Sequence, residues 1–282
     1  MQSLPFETPY DAPGLLAFFA SRAIPQAESI QEGVYRRVVR LQMDATEHIG
    51  WIEVRHTPTE LLLTMSDALA DVSHAVTQMV GRVFDVHAQP QVINNALGDL
   101  ASDCPGLRLP GAFDPFEISV RAVLGQQITV KAARTLAQRL VQRFGQTVPT
   151  PFAELDRAFP SANTLARAPA SALGELGIIS RRSQAIIELA RAFAHDAWDF
   201  EGPPDVLVDR LCGIAGIGPW TANYIVMRGC SHPDRWLPKD VVLLKALNLP
   251  KTAQGHQEAE RLAQAWAPWR SYAVLHCWRQ CV

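Results

Sequence analysis

The segment Leu211-Cys212-Gly213-Ile214-Ala215-Gly216-Ile217-Gly218-Pro219-Trp220-Thr221-Ala222 constrains this chain more than any other. An apolar stretch over 206–214 reads as a helix, and a tight Gly-Ile-Gly turn follows it. A second helix then begins at about Pro219, where proline's missing N–H costs nothing. The whole hairpin spans 206–229. Glycine lets the turn take positive φ and lets another backbone come close. The start of the second helix presents unpaired N–H groups and a partial positive charge, an anion site suited to a phosphate. Taken alone, the turn reads equally as a packing corner with Ile217 buried.

The hydrophobic period changes along the chain. Residues 1–88 are mixed, with a helix around 14–22 and β-prone stretches over 34–43, 47–56 and 60–65. An amphipathic helix is expected over 66–85, where Leu69, Val72, Val76, Met79, Val80 and Val83 recur at helical spacing. From about residue 111 the pattern is helical almost throughout: Ile128, Ala132, Leu136, Leu140 and Phe144 recur every four residues. Pro149, Pro151, Pro203 and Pro204 mark loops. No internal repeat or low-complexity tract interrupts this. With 282 residues available, the expectation is an α+β N-terminal domain over 1–88 joined to an all-α domain over 89–282.

A net charge of −2 carries no nucleic-acid signature, but its distribution is uneven. Residues 1–110 hold 7 basic and 13 acidic side chains, whereas 111–282 hold 19 and 15, so the basic bias falls in the half with the hairpin. Cys104, Cys212, Cys230, Cys277 and Cys281 form neither a paired zinc pattern nor a regular disulfide spacing, which fits a reduced cytoplasmic compartment. Leu15-Leu16-Ala17-Phe18-Phe19-Ala20 resembles the apolar part of a signal peptide. Glu7 and Asp11 precede it instead of a basic stretch, so a short buried helix is expected. No apolar run is long enough to cross a membrane.

The hairpin, continued through Asn223-Tyr224 and followed by Arg235-Trp236-Leu237-Pro238-Lys239-Asp240, resembles the helix-hairpin-helix DNA glycosylase superfamily that also contains endonuclease III. The resemblance extends over nearly the whole chain and is nearest to the bacterial AlkA type, 3-methyladenine DNA glycosylase II. It rests on Pro9-Tyr10-Asp11 with Phe18, Arg82-Val83-Phe84-Asp85, Pro105 to Gly111, Arg121-Ala122-Val123-Leu124-Gly125-Gln126 and Trp269-Arg270-Ser271-Tyr272-Ala273, in order. It implies an N-terminal antiparallel sheet like half of a TATA-binding protein. It also implies a partner, double-stranded DNA carrying damaged bases, and a monomeric enzyme acting at the nucleoid.

On this resemblance Asp240 is the catalytic carboxylate. It would stabilise the positive charge that grows on the sugar as the N-glycosidic bond breaks. Asp240 also stands where a helix should start, and an N-cap worth ~1 kcal/mol is the plainer reading of an isolated Asp; the two roles can coexist. A base inside a duplex must be flipped out to be reached, and aromatic faces suit an electron-poor alkylated base. The resemblance places Phe18, Trp220, Tyr224 and Trp278 in that pocket and leaves Trp236, Trp266 and Trp269 as core. Gln127 takes the place of the wedge that fills the gap left by the base, or else caps the helix beginning near Thr129. Gly216, Gly218 and Thr221 fall to DNA contact. The backbone carbonyls of Cys212, Ile214 and Ile217 would hold a structural Na+ or K+; no other cofactor is required. The iron–sulfur cluster of endonuclease III needs four cysteines near the C-terminus, and here only Cys277 and Cys281 lie there.

Glycosylases that also cut the backbone carry a lysine at the place of Trp220, so the enzyme is expected to be monofunctional. Lys239 departs from the acidic residue of the best-known relative and is expected to ion-pair with Asp240. Two other readings stay open: a bifunctional glycosylase-lyase on oxidised bases, against which Trp220 speaks, and a non-catalytic DNA-binding module, against which Asp240 and the aromatics speak.

Overall fold

The computed structural model describes residues 1–43 and 46–281. Five strands, β1 (Gln2–Pro5), β2 (Glu28–Gln31), β3 (Val34–Met43), β4 (Thr46–His56) and β5 (Glu60–Met65), form one antiparallel sheet in the order β1-β5-β4-β3-β2. The three long strands fall where β-branched and aromatic residues predict them. β1 and β2 escape that reading because four residues with a single apolar contact to the core carry almost no period-2 signal.

One face of the sheet, through Tyr35, Val39, Ile52, Val54, Leu61 and Leu63, packs on α1 (Ala12–Arg22) and α2 (Ser73–Val83). The Asp11 carboxylate starts α1 by accepting the Gly14 N–H at 3.0 Å. The single helix expected over 66–85 is instead a 3₁₀ turn, Asp67–Val72, followed by α2. Here tertiary packing overrides the pattern. The Ser66 hydroxyl accepts the Trp51 N–H at 3.2 Å, and Leu69 and Val72 are pressed against the sheet, which tightens the first turns.

The remaining helices are α3 (Pro90–Leu97), α4 (Pro115–Leu124), α5 (Val130–Phe144), α6 (Ala162–Ala166), α7 (Ala170–Gly174), α8 (Ser180–His195), α9 (Pro204–Cys212), α10 (Pro219–Gly229), α11 (Val241–Ala246), α12 (Ala253–Ala263) and α13 (Arg270–Arg279). They build two cores. One gathers Val120, Val123, Leu124, Leu140, Ile186, Leu189, Leu211, Ile225 and Val226 from α4, α5, α8, α9 and α10. The other gathers Ile93 and Leu97 of α3 with Met227, Leu237, Leu243, Tyr272 and Val274. Trp236, Trp266 and Trp269 pack half-buried on this second core. No helix among the described residues is long and apolar enough to cross a membrane.

Four charges, three buried and Arg121 half-buried, fasten the sheet to the helices. Arg37 on β3 donates to Glu117 on α4 at 2.7 Å and to Glu28 on β2 at 3.4 Å. Arg121, one turn further along α4, donates to Glu28 at 2.6 Å and to Glu117 at 2.9 Å. Burial works against each charge. The opposite charges outweigh it, holding both guanidinia above their ordinary range and the Glu117 carboxyl below the usual carboxylate value. Removing one member strands the others in a medium that cannot solvate them. Glu117→Gln should therefore cost about 3–5 kcal/mol of unfolding free energy. Because the folded Glu117 carboxyl titrates below its unfolded value, this contribution is present above the unfolded value and fades as pH falls through the folded one. Denaturant unfolding at neutral pH and in acid checks both; a neutral-pH loss under about 1 kcal/mol would show that the cluster is dispensable.

Candidate active site

The expected first hairpin helix, 206–214, runs over Pro204–Cys212, and the second starts at Pro219 as expected. Gly216 has φ +93°, and a Cβ there would lie 2.9 Å from the Ala185 Cβ on α8, so only glycine fits. Gly218 has an ordinary φ of −99°, and a Cβ on it would meet nothing within 4 Å. The space before the α10 N-terminus is therefore open. Ile217 is buried, so packing corner and open helix end coexist in one turn.

Thr221 stands in the first turn of α10 and lines the same cleft as Asp240. Its side chain is buried, and its hydroxyl accepts the Gln126 Nε2 at 3.2 Å. The same Nε2 donates to the Gly216 carbonyl at 2.9 Å, and Arg182 on α8 donates to the Gln126 carbonyl. The Thr221 side chain thus ties the hairpin to the α4–α5 turn. Gln127, next in that turn, is exposed with φ +56°. It does not cap α5; Thr129 does, accepting the Ala132 N–H at 3.2 Å.

The loop between α10 and α11 is pinned at several points. Arg270 chelates Asp234 at 2.6 and 2.8 Å, Ser271 accepts the Arg235 N–H, and the Arg235 side chain spans Asn223 and Asp205. The loop ends on Asp240, which is 7% exposed. Its Oδ1 accepts the Val242 and Leu243 N–H groups at 2.7 and 3.1 Å, the N-cap of α11. Its Oδ2 accepts the Trp220 indole N–H at 2.9 Å. The expected ion pair with Lys239 is absent among the described residues: Lys239 takes φ +61° and is exposed, while the partner on Oδ2 is the Trp220 indole.

Asp240 opens onto a cleft of about 1660 Å³ that Phe18, Trp220, Tyr224 and Trp278 also line, together with Gln127 and Gly218. Trp220 and Tyr224 stack at 5.3 Å between centroids with 11° between planes; Tyr224 and Trp278 lie at 6.3 Å. Two arginines that sequence reasoning missed join them. The Arg22 guanidinium sits 3.7 Å over the Phe18 ring, and Arg228 donates to the Tyr224 hydroxyl at 2.9 Å. Both stand four residues after a pocket aromatic on the same helix, Phe18 with Arg22 and Tyr224 with Arg228, a spacing that places side chains side by side and was legible in the sequence.

The hairpin carbonyls of Cys212, Ile214 and Ile217 are neutral oxygen donors, and Ile214 already accepts the Ile217 N–H at 3.0 Å. Such a set suits a monovalent cation better than a divalent one, which favours carboxylates. Among the described residues no group of three or more His, Cys, Asp or Glu side chains is placed to hold a metal ion.

Residues 1–114 match the family model of the AlkA N-terminal domain, and residues 120–270 match that of the HhH-GPD superfamily of base excision DNA repair proteins. The chain is 36% identical to DNA-3-methyladenine glycosylase 2 of Escherichia coli K12 over 99% of its own length and 96% of that protein's. It is 34% identical, over 98% of its length, to the probable bifunctional transcriptional activator/DNA repair enzyme AlkA of Mycobacterium tuberculosis, of which it covers 56%. Among solved structures, 3-methyladenine DNA-glycosylase from Archaeoglobus fulgidus shares the fold with a TM-score of 0.80 at 17% identity, over 99% of this chain and 97% of that one. The chain belongs to the HhH-GPD superfamily of base excision DNA repair proteins and, within it, to the AlkA type with its N-terminal sheet domain.

Proposed function

We infer that this protein is a monofunctional DNA glycosylase of base excision repair. It hydrolyses the N-glycosidic bond of alkylated bases such as 3-methyladenine and leaves an abasic site. The supporting relative is a DNA-3-methyladenine glycosylase matched end to end. The observation that carries the chemistry is the Asp240 carboxylate, held between a helix N-terminus and the Trp220 indole at the wall of an aromatic cleft.

The reaction follows from that placement. The open N-terminus of α10 at Gly218 takes a backbone phosphate through N–H groups, which positions the duplex without reading its sequence. The flipped base enters among Phe18, Trp220, Tyr224 and Trp278, and Gln127 fills the gap it leaves. As the bond to the sugar lengthens, positive charge spreads over C1′ and the ring oxygen. A carboxylate about 4 Å from a unit charge contributes on the order of 4 kcal/mol at an effective dielectric near 20. Asp240 cannot swing away from that charge, because three hydrogen bonds fix it. Water then completes the substitution at C1′. A Na+ or K+ on the Cys212, Ile214 and Ile217 carbonyls would stiffen the hairpin and take no part in bond breaking. The enzyme acts as a monomer in the cytoplasm, at the nucleoid.

Asp240→Asn preserves an oxygen to cap α11, so the fold survives while the charge is lost. Release of 3-methyladenine from methylated DNA should fall by about 100-fold or more, with duplex affinity nearly unchanged. A variant retaining over about a tenth of the activity, under ~1.4 kcal/mol of lost stabilisation, would remove Asp240 from the central role.

Gly218→Val tests the phosphate site cleanly, since its Cβ meets open space, whereas any side chain at Gly216 would strain the turn itself. Affinity for damaged and undamaged duplexes should drop by a similar factor in equilibrium titrations. A shift in lesion preference at constant affinity would contradict that assignment.

A lyase must hold the sugar on an amine, and Trp220 offers none. Borohydride added during turnover should trap no protein–DNA adduct, and the product strand should stay intact. An adduct that disappears in Lys239→Ala would make Lys239 the nucleophile and the enzyme bifunctional.

A further inference from the structure

The two ends of the base cleft carry opposite charge. At one end the Trp220 indole donates to Asp240; at the other the stacked Tyr224 presents its hydroxyl to Arg228. Arg22 lies 3.7 Å over Phe18 on one side, and Arg228 lies 4.8 Å from the same ring. All of these residues line one cleft. Among the described residues neither Arg22 nor Arg228 has a carboxylate within 4.0 Å. Arg37 and Arg121 behind them are neutralised by Glu28 and Glu117.

We propose that Arg22, backed by Arg228, is a specificity-determining residue that pulls the glycosidic electron pair onto the departing base and so extends the enzyme to neutral bases. The inference rests on the glycosylase reading above.

The field runs from the guanidinia to the carboxylate, so it drives electrons from the sugar beside Asp240 towards the base beside Arg22, the direction in which they must move. When the C1′–N bond breaks, its electron pair stays on the base nitrogen. Positive charge moves onto the sugar beside Asp240, and the base becomes more negative by one unit beside Arg22. A cationic alkylated purine leaves as a neutral molecule, and a neutral base leaves as an anion. Water adds its oxygen to C1′, and the proton it gives up goes to solvent in the first case and onto the departing base in the second. Measured from the bound state, the guanidinium assists both by the same amount. Measured from free enzyme and DNA, it assists only the neutral base, because the cationic base is first repelled on entry and regains on departure what it lost. Asp240 and aromatic faces alone would favour bases that already carry their charge. The state of Tyr224 reports the same field: burial raises its hydroxyl pKa, yet Arg228, Arg22 and Arg121 outweigh that and bring it below the ordinary phenol value.

Arg22→Met keeps an unbranched stem over Phe18 and removes the charge; Arg22→Lys keeps the charge. Single-turnover excision is measured against enzyme concentration on duplexes carrying one 7-methylguanine, a cationic base, or one hypoxanthine, a neutral one. In Arg22→Met the maximal rate should fall about tenfold on both lesions. Half-saturation should tighten for 7-methylguanine and stay constant for hypoxanthine, so that the rate divided by half-saturation drops for the neutral base alone. Arg22→Lys should restore most of it. Because both lesions are read in one preparation, a partly misfolded variant lowers the two together and leaves their ratio intact. Half-saturation moving alike for the two lesions, an unchanged maximal rate, or a wild type that releases 7-methylguanine but no hypoxanthine would overturn the proposal. A wild type that releases neither would instead overturn the glycosylase reading.

Discussion

The charge set of Arg37, Glu28, Glu117 and Arg121 is the interaction on which the rest of the molecule depends. Two charges come from strands of the sheet and two from one face of α4. None could be buried alone, since a desolvated charge without a partner costs several kcal/mol. Together they can be satisfied only when the sheet and the helices meet in one register. That register matters for the cleft. Arg121 also donates to the Arg22 carbonyl at the end of α1, and Arg134 of α5 donates to the Ala23 carbonyl beside it. Phe18 and Arg22 of the N-terminal domain are thereby held in the same cleft as Trp220, Tyr224 and Trp278 of the helical one. The cleft is composite, and the charge cluster makes it so.

A second economy lies in Asp240. Ending the pinned loop with an N-cap gives the carboxylate a fixed direction, and the Trp220 indole holds its second oxygen. Capping and the proposed catalysis therefore fall to one fixed carboxylate, so the two readings of that residue are compatible. The hairpin works similarly. Ile217 packs inward while Gly218 leaves the helix end open, and Gln126 and Thr221 lock the turn to the loop that carries Gln127. The hairpin turn and the loop that carries Gln127 are thus one rigid unit.

Local chemistry was legible wherever a residue's task is set by its neighbours in the chain. The Gly-Ile-Gly-Pro turn, the three long strands and the cap at Asp240 follow from backbone freedom, β-branching and carboxylate geometry within a few residues. The place of Asp240 and of the aromatics came from resemblance to a known family, and the cleft gathers all five residues named that way. Where the expectation failed, a distant partner decided. Ser66 and the sheet turned the start of a predicted helix into a 3₁₀ turn, and the indole of Trp220 took the place expected of Lys239.

The sequence by itself determined the two domain types, the hairpin and the carboxylate at the head of α11, because each rests on short-range rules of period, turn and cap. Only the tertiary structure decided the sign of the pocket. Arg22 and Arg228 lie far apart in the chain, and each reads alone as a solvated charge. Folding brings both to the same ring of Phe18 while spending the nearby carboxylates on Arg37 and Arg121. A charge left without its counterion is a property of who else is buried beside it, and no local pattern records that.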